Sequence, residues 1–168
     1  PLNNDYSKLL YDNEGLWSIT HTEEAEKITN TILKYKNKYC SIVDLNGGCG
    51  GNLISFMKYF DDVTAVEIDA ERYKYMVNNI NCYEKKLVKL INDDCLNVIK
   101  QKEFDIYFFD PPWGGPKYKK MEKIELYLSN IKLSDIVSLI PSNKLVVIKV
   151  PFNYNIELIK CKFKIIEI

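Results

Sequence analysis

The run Ile106-Tyr107-Phe108-Phe109, followed at once by Asp110-Pro111-Pro112-Trp113-Gly114-Gly115-Pro116, is the hardest constraint on what this chain can fold into. Four apolar residues without polar alternation read as a strand buried on both faces, an interior strand of a parallel sheet. The strand cannot continue past Asp110, because two prolines fix φ and remove two backbone donors. A Gly-Gly-Pro turn then carries the chain away. The break falls where open α/β sheets bind their ligands, at the carboxyl end of a buried strand. A carboxylate, proline carbonyls free to accept and a flat indole on a rigid edge suit the gripping of a planar base whose amino group is to be modified. Taken alone, Pro-Pro-Trp fits a proline-rich turn with a core tryptophan equally well.

The flanking sequence repeats the pattern. Ser41–Leu45, Val63–Ile68, Leu87–Ile91 and Leu145–Val150 read as further short strands, and Phe163–Ile168 as a sixth. Between them lie helical spacings: Asn52 to Tyr59, Ala70 to Asn81 (Tyr73, Met76, Val77, Ile80), a short helix ending near Lys100, and Lys123 to Leu139 with Ile124, Leu128, Ile131, Ile136 and Leu139 as core positions. At the amino end Asp12-Asn13-Glu14-Gly15 reads as a turn. Thr20-His21-Thr22-Glu23 reads as a capping box for a helix through about Lys36, with Ala25, Ile28, Ile32 and Leu33 inward. Strands alternating with helices predict a doubly wound, mostly parallel α/β sheet. At 168 residues, without repeats or a low-complexity linker, residues 1–168 form one domain, with 1–36 a helical segment over the site.

The first strand runs into Asp44-Leu45-Asn46-Gly47-Gly48-Cys49-Gly50-Gly51-Asn52. Gly48 and Gly50 match a dinucleotide loop, but the third glycine position is Leu53, and Asp44 would crowd a pyrophosphate. A cationic, zwitterionic ligand fits better, and S-adenosylmethionine is such a ligand, organised by Asp44. Glu67 ends the second strand, where a carboxylate accepts two ribose hydroxyls. Asp94 follows the third strand, placed to meet an adenine amino group. A glycine loop alone is more often a mere turn. Asp44, Glu67, Asp94 and Asp110 at successive strand ends turn the balance to a methyl-donor site. Asp69 reads as the cap of the helix from Ala70 and Asp93 as a solvated neighbour of Asp94.

Composition narrows the partners. Lysine plus arginine number 23 against 23 acidic residues, so no global field draws the chain to nucleic acid and any RNA contact must be local. Lys117, Lys119, Lys120 and Lys123, just after Trp113, are that local group; their plain alternative is a solvated face. Five single cysteines, without a Cys-x-x-Cys pair, and one histidine speak against a metal site or a disulfide framework and fit a reducing compartment. Cys49 and Cys95 read as packing residues, because no base stands by to activate them. Neither a membrane span nor a signal peptide is expected. Heavy use of Lys, Asn, Ile and Tyr points to an A/T-rich genome, a protist or a large virus. An intracellular, soluble protein is expected, and nucleus and viral factory both fit. The start at Pro1 rather than methionine points to a piece of a longer protein.

Asp110-Pro111-Pro112-Trp113-Gly114-Gly115-Pro116, with Asp44 to Asn52 and Glu14-Gly15-Leu16-Trp17-Ser18-Ile19-Thr20, resembles the trimethylguanosine synthases, RNA cap guanine-N2 methyltransferases. The resemblance covers about residues 9–150. It implies a Rossmann-like class I methyltransferase fold, S-adenosylmethionine as donor and 7-methylguanosine-capped RNA as acceptor, taken to 2,7-dimethyl- or 2,2,7-trimethylguanosine. It carries over Trp113 as the stacking residue, Asp44, Gly48 and Gly50 as the donor loop, and Glu67 and Asp94 as the ribose and adenine contacts; Asn52, closing the same loop, is expected at the donor as well. Thr20 falls where the amino-terminal segment assists the donor site. Asp110 and the Pro111 carbonyl are expected to accept the amine hydrogens. Trp17 is expected either as a pocket wall or as a tail on the core, and Lys117 at the cap phosphates. No metal is implied, and a monomer is expected.

Two departures bear on the acceptor. Asp110 stands where animal members often have serine, and Asp-Pro-Pro-aromatic is shared with enzymes that methylate internal guanine or adenine amines of ribosomal RNA or DNA. The chain also ends where the family continues into a closing hairpin, so carboxyl-terminal strands are expected to be missing. A third reading, a non-catalytic cap-binding module, is disfavoured by the intact Asp44, Glu67 and Asp110.

Overall fold

The computed structural model describes residues 6–83 and 87–160. Five strands, β1 (Ser41–Asp44), β2 (Asp62–Glu67), β3 (Val88–Asn92), β4 (Ile106–Phe109) and a last strand at Leu145–Ile148, form one parallel sheet. The last strand lies beside β4 and the spatial order is third, second, first, fourth, last. The direction of winding reverses between β1 and β4, where Asp44 is in register with Phe108. A crevice at the carboxyl ends of these two strands is the switch point of such a sheet.

Helices cover both faces. α1 (Asn13–Ser18) and α2 (Thr22–Ile32) come first, then α3 (Gly51–Tyr59), α4 (Ala70–Asn81), α5 (Cys95–Gln101), α6 (Leu133–Ser138) and α7 (Glu157–Lys160). The pleat of β4 shows why its four residues are all apolar. Ile106 and Phe108 join the core built with Ile32, Leu53, Phe56 and Met76. Tyr107 and Phe109 join the opposite core with Leu96, Val98, Leu133 and Ile136. Phe56 meets Phe108 edge to face at 5.1 Å between ring centroids, a preferred aromatic geometry.

Three local expectations are corrected. The stretch from Lys123 to Leu139 is not one helix: β5 (Tyr127–Leu128) and β6 (Ile131–Lys132) pair as an antiparallel hairpin, and only Leu133–Ser138 is helical. Ser129 and Asn130 both have positive φ, 49° and 64°, as a two-residue hairpin turn of matching twist requires. The apolar spacing imitated a helix, but Ile131 and Leu139 are exposed. The turn expected at Asp12–Gly15 is the start of α1, capped by the Asp12 carboxylate on the Gly15 amide. The capping box also fails. His21 is the N-cap of α2 and makes no side-chain cap bond, while the Thr20 hydroxyl is drawn elsewhere; the helix stops at Ile32. The strand expected at Phe163–Ile168 lies outside the described residues. No described helix is long and apolar enough to cross a membrane.

Candidate active site

The carboxyl ends of β1, β2 and β4, and the residue after the last strand, deliver Asp44, Glu67, Asp110 and Lys149 to one edge of the sheet. The Gly-rich loop between β1 and α3 is held from both sides. Glu67 Oε2 accepts from the Gly48 amide at 2.8 Å and its Oε1 from the Asp69 amide at 2.9 Å. Gly48 and Gly50 have φ of +53° and +98°, which a side chain would strain. Asn79 donates to the Cys49 carbonyl at 2.9 Å and also bonds the Leu10 backbone in both directions, at 2.8 and 2.9 Å. Asp12 pairs with Arg72 of α4 at 2.8 Å.

The amino-terminal segment lies directly on this loop. A β-carbon at Gly15 would stand 2.7 Å from Cys49 Sγ, and one at Gly51 would stand 2.8 Å from Ile19 and 2.9 Å from the Thr20 carbonyl. Thr20 is thereby inserted into the crevice. Its hydroxyl donates to Asp110 Oδ2 at 3.2 Å and accepts from Asn52 Nδ2 and Lys149 Nζ, each at 2.9 Å. Asn52 Nδ2 and Lys149 Nζ also reach Asp110 Oδ2, at 3.1 and 3.3 Å. Lys149 completes the group at 3.7 Å from Glu24 and 5.7 Å from the Trp113 ring centroid.

Asp44 is buried and accepts from the Asn46 amide through Oδ1, while Oδ2 has no partner. Desolvation, reinforced by Asp110 and Glu67, pushes its carboxyl up to about 8. Burial also raises Asp110, and Lys149 acts against that rise. Asn46 Oδ1 and Asn52 Oδ1 are buried without partners as well. Three buried acceptors left unbonded around a glycine loop are costly and fit a cationic, donor-rich ligand.

Trp113 is half-buried, set edge to face against Tyr118 at 5.3 Å, with its indole nitrogen buried and unbonded. Pro111 is buried and Pro112 exposed. Tyr118 sits in a 3-10 turn, Pro116–Lys120, that Asn153 grips by donating to the carbonyls of Tyr118 and Met121 at 2.8 and 2.7 Å. Lys117, Lys119 and Lys120 are exposed on that turn.

Asp94 also serves the fold: its Oδ1 caps α5 through the Leu96 amide and its Oδ2 accepts from Ser129 of the hairpin, one bond to each oxygen as in Glu67. Asp69 caps α4 through the amides of Glu71 and Arg72, as its spacing suggested. The Trp17 side chain lies outside the described residues. Burial raises the Cys49 thiol, and pushes Cys95 up to about 12, the reverse of activated nucleophiles. Among the described residues no three His, Cys, Asp or Glu side chains converge as for a metal ion. Sequence reasoning missed Lys149, Asn46 and Asn153. Asn46 was legible as a polar residue in the loop, whereas the other two carry no motif and acquire meaning only from the place of the last strand beside β4.

A parallel sheet wound in this order, with acids at the ends of β1 and β2 and Asp-Pro-Pro-Trp after β4, defines a Rossmann-like class I methyltransferase. A solved precorrin-6y C5,15-methyltransferase from Geobacter metallireducens shares the fold, with a TM-score of 0.62 at 15% identity over 90% of this chain and 74% of its own. The chain belongs to the RNA cap guanine-N2 methyltransferase family, whose sequence pattern matches residues 39–166. It is 32% identical to an uncharacterized protein of Acanthamoeba polyphaga mimivirus, over 90% of this chain and 70% of that protein. It is also 32% identical to the trimethylguanosine synthase of Schizosaccharomyces pombe, over 69% of this chain. The chain spans 54% of that enzyme's length.

Proposed function

We propose that this chain transfers methyl groups from S-adenosylmethionine to the exocyclic N2 of 7-methylguanosine caps on RNA, giving 2,7-dimethyl- or 2,2,7-trimethylguanosine. The observation that carries the reading is the placement of Asp110 and Trp113 on one proline-fixed edge at the switch point, beside the unbonded acceptors Asp44, Asn46 and Asn52. Those acceptors suit the ammonium end of the donor, with the Gly48–Gly50 loop giving close backbone approach and Glu67 the ribose hydroxyls. Asp94, whose oxygens each carry one bond of the fold as those of Glu67 do, retains acceptor capacity for the adenine amine. When bound, the donor supplies an electrophilic methyl on a sulfonium.

The chain's own groups handle the acceptor. The amine lone pair is delocalised into the guanine ring, so its hydrogens must be accepted for the nitrogen to pyramidalise. On this reading that task falls to Asp110 and the Pro111 carbonyl, and such acceptors stabilise the positive charge developing on nitrogen. Alignment in the crevice supplies much of the rest, on the order of 7–11 kcal/mol at best. Trp113 offers its face to the base and Lys117, Lys119 and Lys120 meet the phosphates.

Incubation with donor and a capped dinucleotide, followed by mass measurement, tests the reading: a gain of one or two methyls is expected, and an unchanged mass sinks it. Asp110→Asn should lower kcat by roughly 10²–10³-fold while donor affinity stays within a few-fold. An active Asp110→Asn enzyme would remove Asp110 from the chemistry.

One observation favours a second acceptor, an internal guanine or adenine amine of RNA or DNA. A cationic 7-methylguanine gains about 1–2 kcal/mol on a desolvated indole, but Lys149 already places a cation 5.7 Å from Trp113. Free cap analogue should inhibit competitively if the cap is the acceptor, and should leave turnover untouched if it is not.

A further inference from the structure

Lys149 has no part in the function as read from sequence, yet its ammonium lies 3.3 Å from Asp110 Oδ2. It follows the last strand, which lies next to β4 in the sheet, so its position is fixed by the same ladder that fixes Asp110: the Lys149 amide donates to the Phe109 carbonyl at 2.8 Å. The side chains of Lys149 and Asp110 are only 16% and 15% exposed, so their attraction is little screened by water. The bonds to Asp110 are also lopsided. Thr20, Asn52 and Lys149 all converge on Oδ2, and none of the described hydrogen bonds uses Oδ1.

We propose that Lys149 is a positioning residue for methyl transfer: it pins Oδ2 of Asp110 as an anion at the end of the sheet and so turns Oδ1 toward the acceptor amine. The proposal rests on the role given above to Asp110. A carboxyl group that takes up a proton offers an O–H where the amine needs an acceptor, so the charge of Asp110 matters as much as its direction. Thr20 and Asn52 fix direction without adding positive charge. The other ionisable groups facing the pair are Glu24, 3.7 Å from the ammonium, and Asp44, with Glu67 behind it; all are acids. Among the described residues, Lys149 alone opposes burial with positive charge at Asp110, whose carboxyl already lies above its ordinary range.

The test compares Lys149→Met and Lys149→Arg with the wild-type chain in two measurements. In pH profiles of kcat/KM on capped dinucleotide, Lys149→Met should move the acid limb up by about one unit, so that its deficit grows as pH falls and reaches about tenfold on the acid side of both limbs. Lys149→Arg should return the limb most of the way, because the charge is restored. In carbon-detected NMR titration of the aspartate carboxyls, with the Asp110 signal identified through Asp110→Asn, Lys149→Met should displace the Asp110 titration upward without any acceptor present. Lys149→Gln removes the same charge and replaces the methionine variant if that one unfolds. An Asp110 titration unmoved by loss of the charge, or a deficit equal at every pH, overturns the proposal. A displaced titration in a protein that never methylates the capped dinucleotide supports the lysine's hold on Asp110 and overturns the cap reading instead.

Discussion

Asp44 shows how a single carboxyl can be held against the interest of the fold. It is buried, holds one backbone bond, and leaves Oδ2 unbonded. With a folded-state value of about 8 against an ordinary carboxylate value near 3.8, the folded chain holds a proton there that the unfolded chain has released. Stability from this group is therefore fully present below the ordinary carboxylate range, declines as pH rises, and is gone once pH passes about 8. Asp110, shifted in the same direction, adds to the trend. The melting temperature should fall by roughly 5 °C or more between pH 5.5 and 8.5. Asp44→Asn should flatten most of that slope in a thermal scan across pH; an equally steep variant would mean that the slope comes from elsewhere. A cationic ligand on Asp44 should favour the carboxylate and release the proton, visible as a binding enthalpy that varies with the buffer.

At the scale of elements, the amino-terminal segment is locked to the glycine loop by glycines and amides rather than by a large apolar face. Gly15 and Gly51 permit contacts that a side chain would block, and Asn79 ties Leu10 and Cys49 together from α4. Asn79→Ala breaks one buried and two half-buried bonds and strands the Cys49 carbonyl, at a cost of about 2–4 kcal/mol. A melting point lower by roughly 5–10 °C is expected. The donor should also bind less tightly, measured by calorimetry. A stable variant with unchanged donor affinity would show that the segment does not shape the loop. Element boundaries were legible where one local cause dominates: α4 matches its spacing because Asp69 caps it, and β4 matches its apolar run because two cores claim alternate residues. They were illegible from Lys123 to Leu139, where an apolar spacing compatible with a helix competed with a Ser-Asn turn, and positive φ at both turn residues decided for the hairpin.

For the whole molecule, the balance of 23 basic and 23 acidic residues confines any attraction to RNA to local groups. On the proposed function, contact of Lys117, Lys119 and Lys120 with three phosphates should give a shallow salt dependence, a slope of log K against log salt of roughly −2 to −3. Replacing Lys117, Lys119 and Lys120 together with alanine should bring that slope toward zero while leaving donor binding unchanged. A slope much steeper than this would place the RNA on a wider surface than the turn.

The alternation of apolar runs with helical spacing, and the proline stop after Asp110, settled the doubly wound sheet without reference to any contact, because periodicity and backbone restriction are local properties of the chain. The same holds for the glycine loop and for acids at strand ends. Tertiary structure alone decided which groups face those acids. Thr20 left its expected cap for Asp110, Asp94 came to be shared with α5 and the hairpin, and Lys149 arrived through the pairing of the last strand with β4. The partners of a buried charge lie tens of residues away in sequence, and only the packing of the sheet brings them within hydrogen-bond reach.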